Sequence, residues 1–370
     1  MESNHTLLFD ARAATRDFPG IDRYIRALLA ALLPDLRPDE RLHVILPEET
    51  EIPCLAHPGV TLHRVDADLT TFRSHWQTLR LARAIRPQVI HAPYLLTPLR
   101  VPGKLVLTVH DVIPLSHPQY SSLATRLFWH VVGRRALRHC RKLIGVSEDA
   151  LKTCSRFFGT RAVRRSVVIH HGIDPDFHPQ AEEAVEAVRR TYGLPERFLL
   201  YVGSDRPHKN VTTLLHALAL MDPTASMPLA LAGFDSNGSP LRREAEELDL
   251  GQRVLWLGRI PDADLPALYS AAHAFLFPSL VEGFGFPVLE AMACGTPVVC
   301  SDAASLPEVV GGAAWLVNPD DQAEAVAALR EVLTNPAAAE RLRTAGLERA
   351  RQFTWQAAAA AVLRVYGGAP

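Results

Sequence analysis

Between Pro278 and Cys294 the chain reads PSLVEGFGFPVLEAMAC, where two carboxylates, Glu282 and Glu290, have seven residues between them, beginning with Gly283, Phe284, Gly285 and Phe286. An apolar run ends near Phe277, and Pro287 suits the first turn of a helix. A loop running into a helix start presents N–H groups and the positive end of the helix dipole, which is a setting for a phosphate. Carboxylates repel a phosphate, so the chemistry open to Glu282 and Glu290 is acceptance of hydrogen bonds from neutral hydroxyls, those of a ribose and a sugar. The bland alternative is a loop carboxylate and a partner for the helix dipole.

The complementary charge stands in GSDRPHKNVTTLL, after the apolar run Phe198–Val202. There Gly203 permits a tight turn, Asn210 suits a helix cap, and Arg206 and Lys209 are placed to neutralise a diphosphate leaving group. Ordinary surface solvation of the two cations is the competing reading. Two further candidates lie early in the chain. Gly20, in DFPGIDRYIRALL, falls where a loop enters a helix and allows a ligand to approach the backbone, unless it is a plain turn glycine. His110 and Asp111 follow the apolar run Leu105–Val109, and polar residues at the carboxyl end of such a strand face the ligand crevice of an open α/β sheet. A structural histidine bonded to backbone is the alternative for His110; His91, His170 and His171 are less informative.

These residues need a scaffold of short β-branched runs alternating with segments of helical period, the pattern of parallel sheets covered by helices. Strands are expected at His5–Asp10, Leu42–Leu46, Val60–Val65, Val89–His91, Leu105–Val109, Leu143–Val146 and Val167–Ile169. Helices are expected at about Ile21–Leu33, Ser74–Ile85, Leu123–Cys140 and Asp149–Phe158. The pattern then restarts, with strands at Phe198–Val202, Leu229–Ala232, Val254–Leu257, Ala274–Phe277 and Val298–Cys300. The fold class is α/β: two Rossmann-like, doubly wound domains facing across a cleft. Their bounds are 1–172, a linker over 173–196 rich in Gly, Pro, Asp and His, and 197–353. A helix over 354–370, with no strand of its own, is free to cross back onto the first domain.

At 370 residues the chain exceeds one ordinary core, which supports two domains. Its five cysteines form no metal-binding or disulfide pattern, and the start lacks the features of a secretory leader. A cytoplasmic protein, peripheral on the inner face of a membrane, fits these features. Residues 1–170 hold 24 basic and 15 acidic residues, and 171–370 hold 15 and 25. Between Arg73 and Arg165 there are 17 basic residues against Asp111, Glu148 and Asp149 alone. Two segments, SHWQTLRLARAIR with Arg80 and Arg83 and RLFWHVVGRRALRHCRK with Arg134 and Arg138, combine aromatic and basic residues. They point to an anionic acceptor or an anionic membrane surface, with a merely solvated face as the alternative. No nucleic-acid recognition module accompanies them.

Taken together, EGFGFPVLEAMACGTPVVCSD, SLPEVVGGAAWLVNPDD, YVGSDRPHKN, VLTVHDVIPL and IGVSEDA resemble the retaining glycosyltransferases of family four, over nearly the whole chain. The resemblance implies the GT-B fold and a nucleotide-diphosphate sugar donor, with no cofactor and no metal ion. It assigns Glu282 to the donor sugar's hydroxyls and the backbone of Gly283 to Phe286 to the sugar and distal phosphate. Glu290 falls to the ribose, Lys209 to the diphosphate, His110 to the transferred sugar, and Arg259 and Ile260 to the nucleobase. Two departures stand out: His208 occupies the place of a usual arginine, and Asp22 follows Gly20 closely. The implied reaction retains anomeric configuration and uses no protein nucleophile. The stretch VLTVHDVIPLSHPQYSS is most similar to mannosyl- and rhamnosyl-type transferases of surface-polysaccharide assembly, which favours GDP-mannose over UDP-glucose and a glycan or lipid-linked acceptor. An epimerase or phosphorylase of the same architecture, or a non-catalytic nucleotide-sugar-binding protein, stays open, and the oligomeric state is not readable.

Overall fold

The computed structural model describes residues 5–65, 69, 71–97, 101–222, 227–235 and 237–367. The chain forms two units, one of Met1–Gly172 with Thr354–Pro370 and one of Ile173–Phe353.

In the first unit seven parallel strands, β1 His5–Asp10, β2 Glu40–Pro47, β3 Val60–Val65, β4 Val89–Ala92, β5 Lys104–Val109, β6 Lys142–Gly145 and β7 Ser166–Val168, lie in the order β3-β2-β1-β4-β5-β6-β7. The order reverses between β1 and β4, so the chain leaves those two strands in opposite directions and opens a crevice at their carboxyl ends. The central strands are buried on both faces, as their near-continuous apolar runs demand. Among the described residues the helices α1 Pro19–Leu32, α2 Phe72–Ile85, α3 Ile113–Ser116, α4 Leu123–His139, α5 Glu148–Phe158 and α6 Thr160–Val163 accompany them. One core joins Leu8, Ile90, Leu105 and Leu107 to Ala82 of α2, Ala136 and Leu137 of α4, and Leu151 and Cys154 of α5, so these three helices cover the same face. Their starts are fixed by Thr71, Ser122 and Ser147, whose hydroxyls accept from N–H groups three residues on.

The second unit repeats the winding with β8 Leu199–Val202, β9 Leu229–Ala232, β10 Val254–Gly258, β11 Ala274–Phe277, β12 Val298–Ser301 and β13 Trp315–Val317, ordered β10-β9-β8-β11-β12-β13. Its switch point lies between β8 and β11. The helices are α7 Glu182–Tyr192, α8 Val211–Ala219, α9 Pro240–Glu247, α10 Leu265–Ala271, α11 Phe286–Ala293, α12 Leu306–Val310, α13 Gln322–Thr334 and α14 Pro336–Ala350. Residues 173–196, expected as a linker, belong to this unit: α7 packs on α10, and the Gln180 N–H donates to Ser270 Oγ at 3.1 Å. The short strand β13 has no counterpart among the expected strands.

The last helix, α15 Trp355–Tyr366, returns to the first unit. It packs on α1, which buries Tyr24, Ile25, Leu28, Leu29 and Leu32, and each such side chain contributes about 2 kcal/mol before ordering entropy is set against it. The Lys104 ammonium donates to the Val365 carbonyl at 2.6 Å, anchoring the end of α15.

Candidate functional site

At the switch point of the second unit, the loops leaving β8 and β11 meet through a pair of charges. Lys209 Nζ lies 2.6 Å from Glu282 Oε1, with the side chains 17% and 13% exposed, and 5.4 Å from the centre of the Phe277 ring. A single turn of 3-10 helix, Pro207–Lys209, delivers the lysine. His208 is turned inward, and its carbonyl accepts from the Leu280 N–H at 2.8 Å and the Ser279 hydroxyl at 3.2 Å. Its backbone thereby fastens one loop to the other, while Arg206 is exposed. Asn210 does not cap α8 with its side chain as expected. It sits at the cap position with φ 56, in the left-handed region an asparagine tolerates, and its amide donates to the carbonyls of Pro319 at 3.0 Å and Pro278 at 3.3 Å.

Gly203 also serves a purpose other than the expected tight turn. A Cβ there would stand 2.5 Å from the Tyr201 hydroxyl, and one on Gly233 would stand 2.5 Å from the Gly203 carbonyl oxygen. Gly203 thus leaves room for the Tyr201 hydroxyl, and Gly233 lets the loops after β8 and β9 pack backbone to backbone. Burial, then Glu282, push the Tyr201 phenol well up, and its O–H donates to the Ser204 carbonyl at 2.7 Å. Arg259, exposed, and Ile260, half-buried, follow β10 at the same edge of the sheet, two strands from β8.

After β11 the loop is held by hydroxyls. Ser279 is buried and its carbonyl accepts from the Ser301 hydroxyl, and Ser305 Oγ lies 3.0 Å from the carbonyl oxygens of both Glu282 and Phe284. The buried Phe284 ring meets Phe286 edge-on at 5.6 Å. Gly285 is required twice over: its φ is +107, and a Cβ would fall 2.6 Å from a Leu306 methyl. From it α11 starts with no side-chain cap, which leaves the positive end of the helix dipole facing this loop. Glu290, one turn on, is 2% exposed and accepts from the Tyr269 hydroxyl at 2.9 Å. Tyr269 was not foreseen; nothing in the sequence links α10 to α11 at that point.

In the first unit His110 directly follows β5. Burial pushes its imidazole down to about 4, against a smaller opposing effect of its hydrogen bond to the Pro93 carbonyl. Its Nε2 is buried and has no hydrogen-bond partner among the described residues. The ring stands edge-on to Tyr24 at 4.9 Å and stacks with His171 at 5.3 Å. Behind it runs a polar chain that was not foreseen. Tyr24 Oη lies 3.2 Å from Thr108 Oγ1, His91 Nε2 lies 2.8 Å from the same oxygen, and His91 Nδ1 lies 2.6 Å from Tyr366 Oη on α15. Burial pushes His91 down to about 3. A second unforeseen feature is Arg12, wholly buried, with Nη2 2.7 Å from Asp10 and Nη1 donating to Ser74 at 2.6 Å.

Asp111 accepts from the Ile113 N–H at 3.0 Å at the start of α3, a local role the expected ligand-facing one did not include. Gly20 lies in the first turn of α1, exposed, with no atom within 4 Å of where a Cβ would stand, and Asp22 turns along the helix to Arg26 at 2.8 Å. Arg80 and Arg83 on α2 and Arg134 and Arg138 on α4 are exposed on the helices covering the sheet. Among the described residues no group of three or more His, Cys, Asp or Glu is placed to hold a metal ion, and no helix is long and apolar enough to cross a membrane.

The family model described as Glycosyltransferase Family 4 matches residues 20–177, and that described as Glycosyl transferases group 1 matches residues 186–349. The chain is 32% identical over 290 residues to O-antigen chain mannosyltransferase B of Escherichia coli, covering 77% of this chain and 75% of that protein. It is 29% identical over 263 residues to Serotype-specific mannosyltransferase WbdA of Escherichia coli, covering 69% of this chain but only 32% of WbdA. Among solved structures, sucrose-phosphate synthase from Thermosynechococcus elongatus superposes with a TM-score of 0.78 over 98% of each chain at 23% identity, a likeness of fold.

Proposed function

The chain belongs to the group 1, family 4 glycosyltransferases and has their GT-B fold, and from that premise we propose that it transfers mannose from GDP-mannose to a glycan or lipid-linked acceptor in surface-polysaccharide assembly. The observation that carries this reading is the Lys209–Glu282 pair at the switch point, beside the start of α11. Cation and helix start suit a diphosphate, and the carboxylate suits sugar hydroxyls. The names of the relatives support mannose.

In the proposed reaction the bond from the anomeric carbon to the diphosphate oxygen breaks, and its electron pair leaves with the diphosphate. The acceptor hydroxyl oxygen bonds to the same face of the sugar, and its proton passes to the departing oxygen. Anomeric configuration is retained, without a metal ion. Lys209, Arg206 and the first turn of α11 stabilise charge developing on the leaving group. Glu282 and Glu290 accept hydrogen bonds from the sugar and the ribose, with the backbone of Gly283 to Phe286 toward the distal phosphate and Arg259 and Ile260 toward the base. His110, neutral at physiological pH, hydrogen-bonds a hydroxyl of the transferred sugar.

A thermal-shift panel of GDP-, UDP-, ADP- and dTDP-linked sugars tests the donor. A ligand at about 100 times its dissociation constant stabilises by ~2.7 kcal/mol, and GDP-mannose is expected to give the largest shift. No shift with any of them refutes the reading, and a larger shift with UDP-glucose refutes the donor.

A further inference from the structure

We propose that Ser305, in the turn between β12 and α12, is a positioning residue for the donor: its hydroxyl fixes the loop from Glu282 to Gly285 so that the Gly285 N–H meets the distal phosphate. The proposal rests on the transferase reading for the identity of that ligand and adds to it the group that aims the loop.

By composition the loop after β11 would be loose. Gly283 and Gly285 flank Phe284, and glycine allows a backbone more freedom than any other residue. One side chain restrains it. Ser305 is wholly buried, and its Oγ stands 3.0 Å from the carbonyl oxygens of Glu282 and of Phe284, on either side of Gly283. A hydroxyl has one proton to give, so the two carbonyls share it and both are drawn toward the same atom. A trans peptide is planar, and its C=O and the N–H that follows point opposite ways. Holding the Phe284 carbonyl on Ser305 therefore turns the Gly285 N–H to the other side of the loop.

That N–H has no acceptor among the described residues, although Gly285 is buried. A shielded N–H without an acceptor is rare in a folded chain and is the mark of a group held for a ligand. It stands at the cap position of α11, where the positive end of the helix dipole strengthens it as a donor to an anion.

Backbone strain accompanies the arrangement. Ala304 holds φ 53, in the left-handed region, and lacks the side-chain group with which asparagine bonds its own backbone. Three consecutive residues thus act on the loop: Ala304 makes the turn, Ser305 reaches two carbonyls, and a Leu306 methyl lies where a Cβ on Gly285 would stand 2.6 Å from it. A second hydroxyl holds the loop without aiming it. Ser301 donates to the Ser279 carbonyl, ahead of both glycines, and leaves their peptide planes free to turn.

Calorimetric titration with guanosine monophosphate and guanosine diphosphate tests the proposal, because only the second carries the phosphate in question. The wild-type protein is expected to gain affinity from the one to the other. Ser305→Ala should leave the monophosphate affinity within about twofold and shrink that gain about tenfold, the contribution of one hydrogen bond to a charged group. Ser301→Ala should retain the gain. Ser305→Cys, close in size but a weaker donor, should fall between, and it carries the same test where the alanine variant does not fold. Equal losses for both nucleotides in Ser305→Ala, or the same shrinkage in Ser301→Ala, would mean a loop merely loosened and would overturn the proposal. A wild-type gain that survives intact in Ser305→Ala removes the positioning role alone. A wild-type protein that gains nothing from the second phosphate removes the diphosphate site, and the transferase reading with it.

Discussion

Replacing Glu282 by glutamine should tighten the binding of a bare nucleoside diphosphate while slowing sugar transfer. In the free protein Glu282 occupies Lys209 at 2.6 Å, and both side chains are mostly shielded from solvent. An arriving diphosphate must share that lysine and also approach the carboxylate. Two unit charges about 5 Å apart interact by ~1 kcal/mol at the dielectric of water and ~3 kcal/mol at an effective value of ~20. Removing the negative charge at this half-shielded site should therefore lower the dissociation constant for GDP about tenfold, or ~1.4 kcal/mol. Lys209→Met should raise it by at least as much. The double variant should bind GDP more tightly than Lys209→Met, because the carboxylate also repels the diphosphate directly. Transfer from the full donor should fall about a hundredfold in Glu282→Gln, since hydrogen bonds from sugar hydroxyls to a charged acceptor contribute roughly 1.5–3 kcal/mol. Calorimetric titration of GDP at low and high salt, beside turnover of GDP-mannose, measures both arms. An unchanged or weakened GDP affinity in Glu282→Gln would refute the competition argument, and unaltered affinity in Lys209→Met would remove the lysine from the diphosphate site.

Three further outcomes are expected. Tyr269→Phe leaves the buried Glu290 carboxylate without its 2.9 Å donor and should cost about 1–3 kcal/mol in a urea titration while weakening donor affinity several-fold; stability lost with affinity intact would place Glu290 outside the ribose site. Gly203→Ala drives a methyl to 2.5 Å from the Tyr201 hydroxyl and should cost about 1–3 kcal/mol, whereas Gly20→Ala enters open space in a helix and should gain roughly 0.5–1 kcal/mol; if Gly20→Ala also retains full transfer, no ligand needs that backbone. His91 and His110 sit at about 3 and about 4, below the ordinary 6.5, so between those values the unfolded chain binds protons that the native chain does not. Stability should then be full above about pH 6.5 and fall as pH drops toward 4, by on the order of 2–4 kcal/mol for each ring; urea midpoints unchanged between about pH 7 and pH 5 would contradict it.

The two sheets were legible because their strands are buried on both faces and read as unbroken apolar runs, as in Leu229–Ala232 and Ala274–Phe277. β13 escaped notice because three residues after a Gly-Gly pair carry too little pattern. At the candidate site, residue types at short spacing announced Lys209, Glu282 and Glu290. The partners that hold them did not show, since Tyr269 meets Glu290 across two helices and Tyr366 meets His91 from 275 positions away. Gly203 and Asn210 were noticed for the wrong reasons: their local propensities suggested a turn and a cap, and the fold uses one for its missing Cβ and the other for its amide.

The return of α15 to the first unit sets an order of assembly on the ribosome. The second unit, residues 173–353, is complete in sequence before the helix that covers α1 and supplies Tyr366 to His91 has been synthesised. Domains generally fold as units while the chain emerges, so here the unit begun first is the one finished last. Until then it must expose the apolar side of α1 and hold His91 without its tyrosine. A polypeptide halted near residue 353 would thus carry a finished second unit and an unfinished first one, and a nascent-chain protease assay would find residues 1–172 the more readily cut.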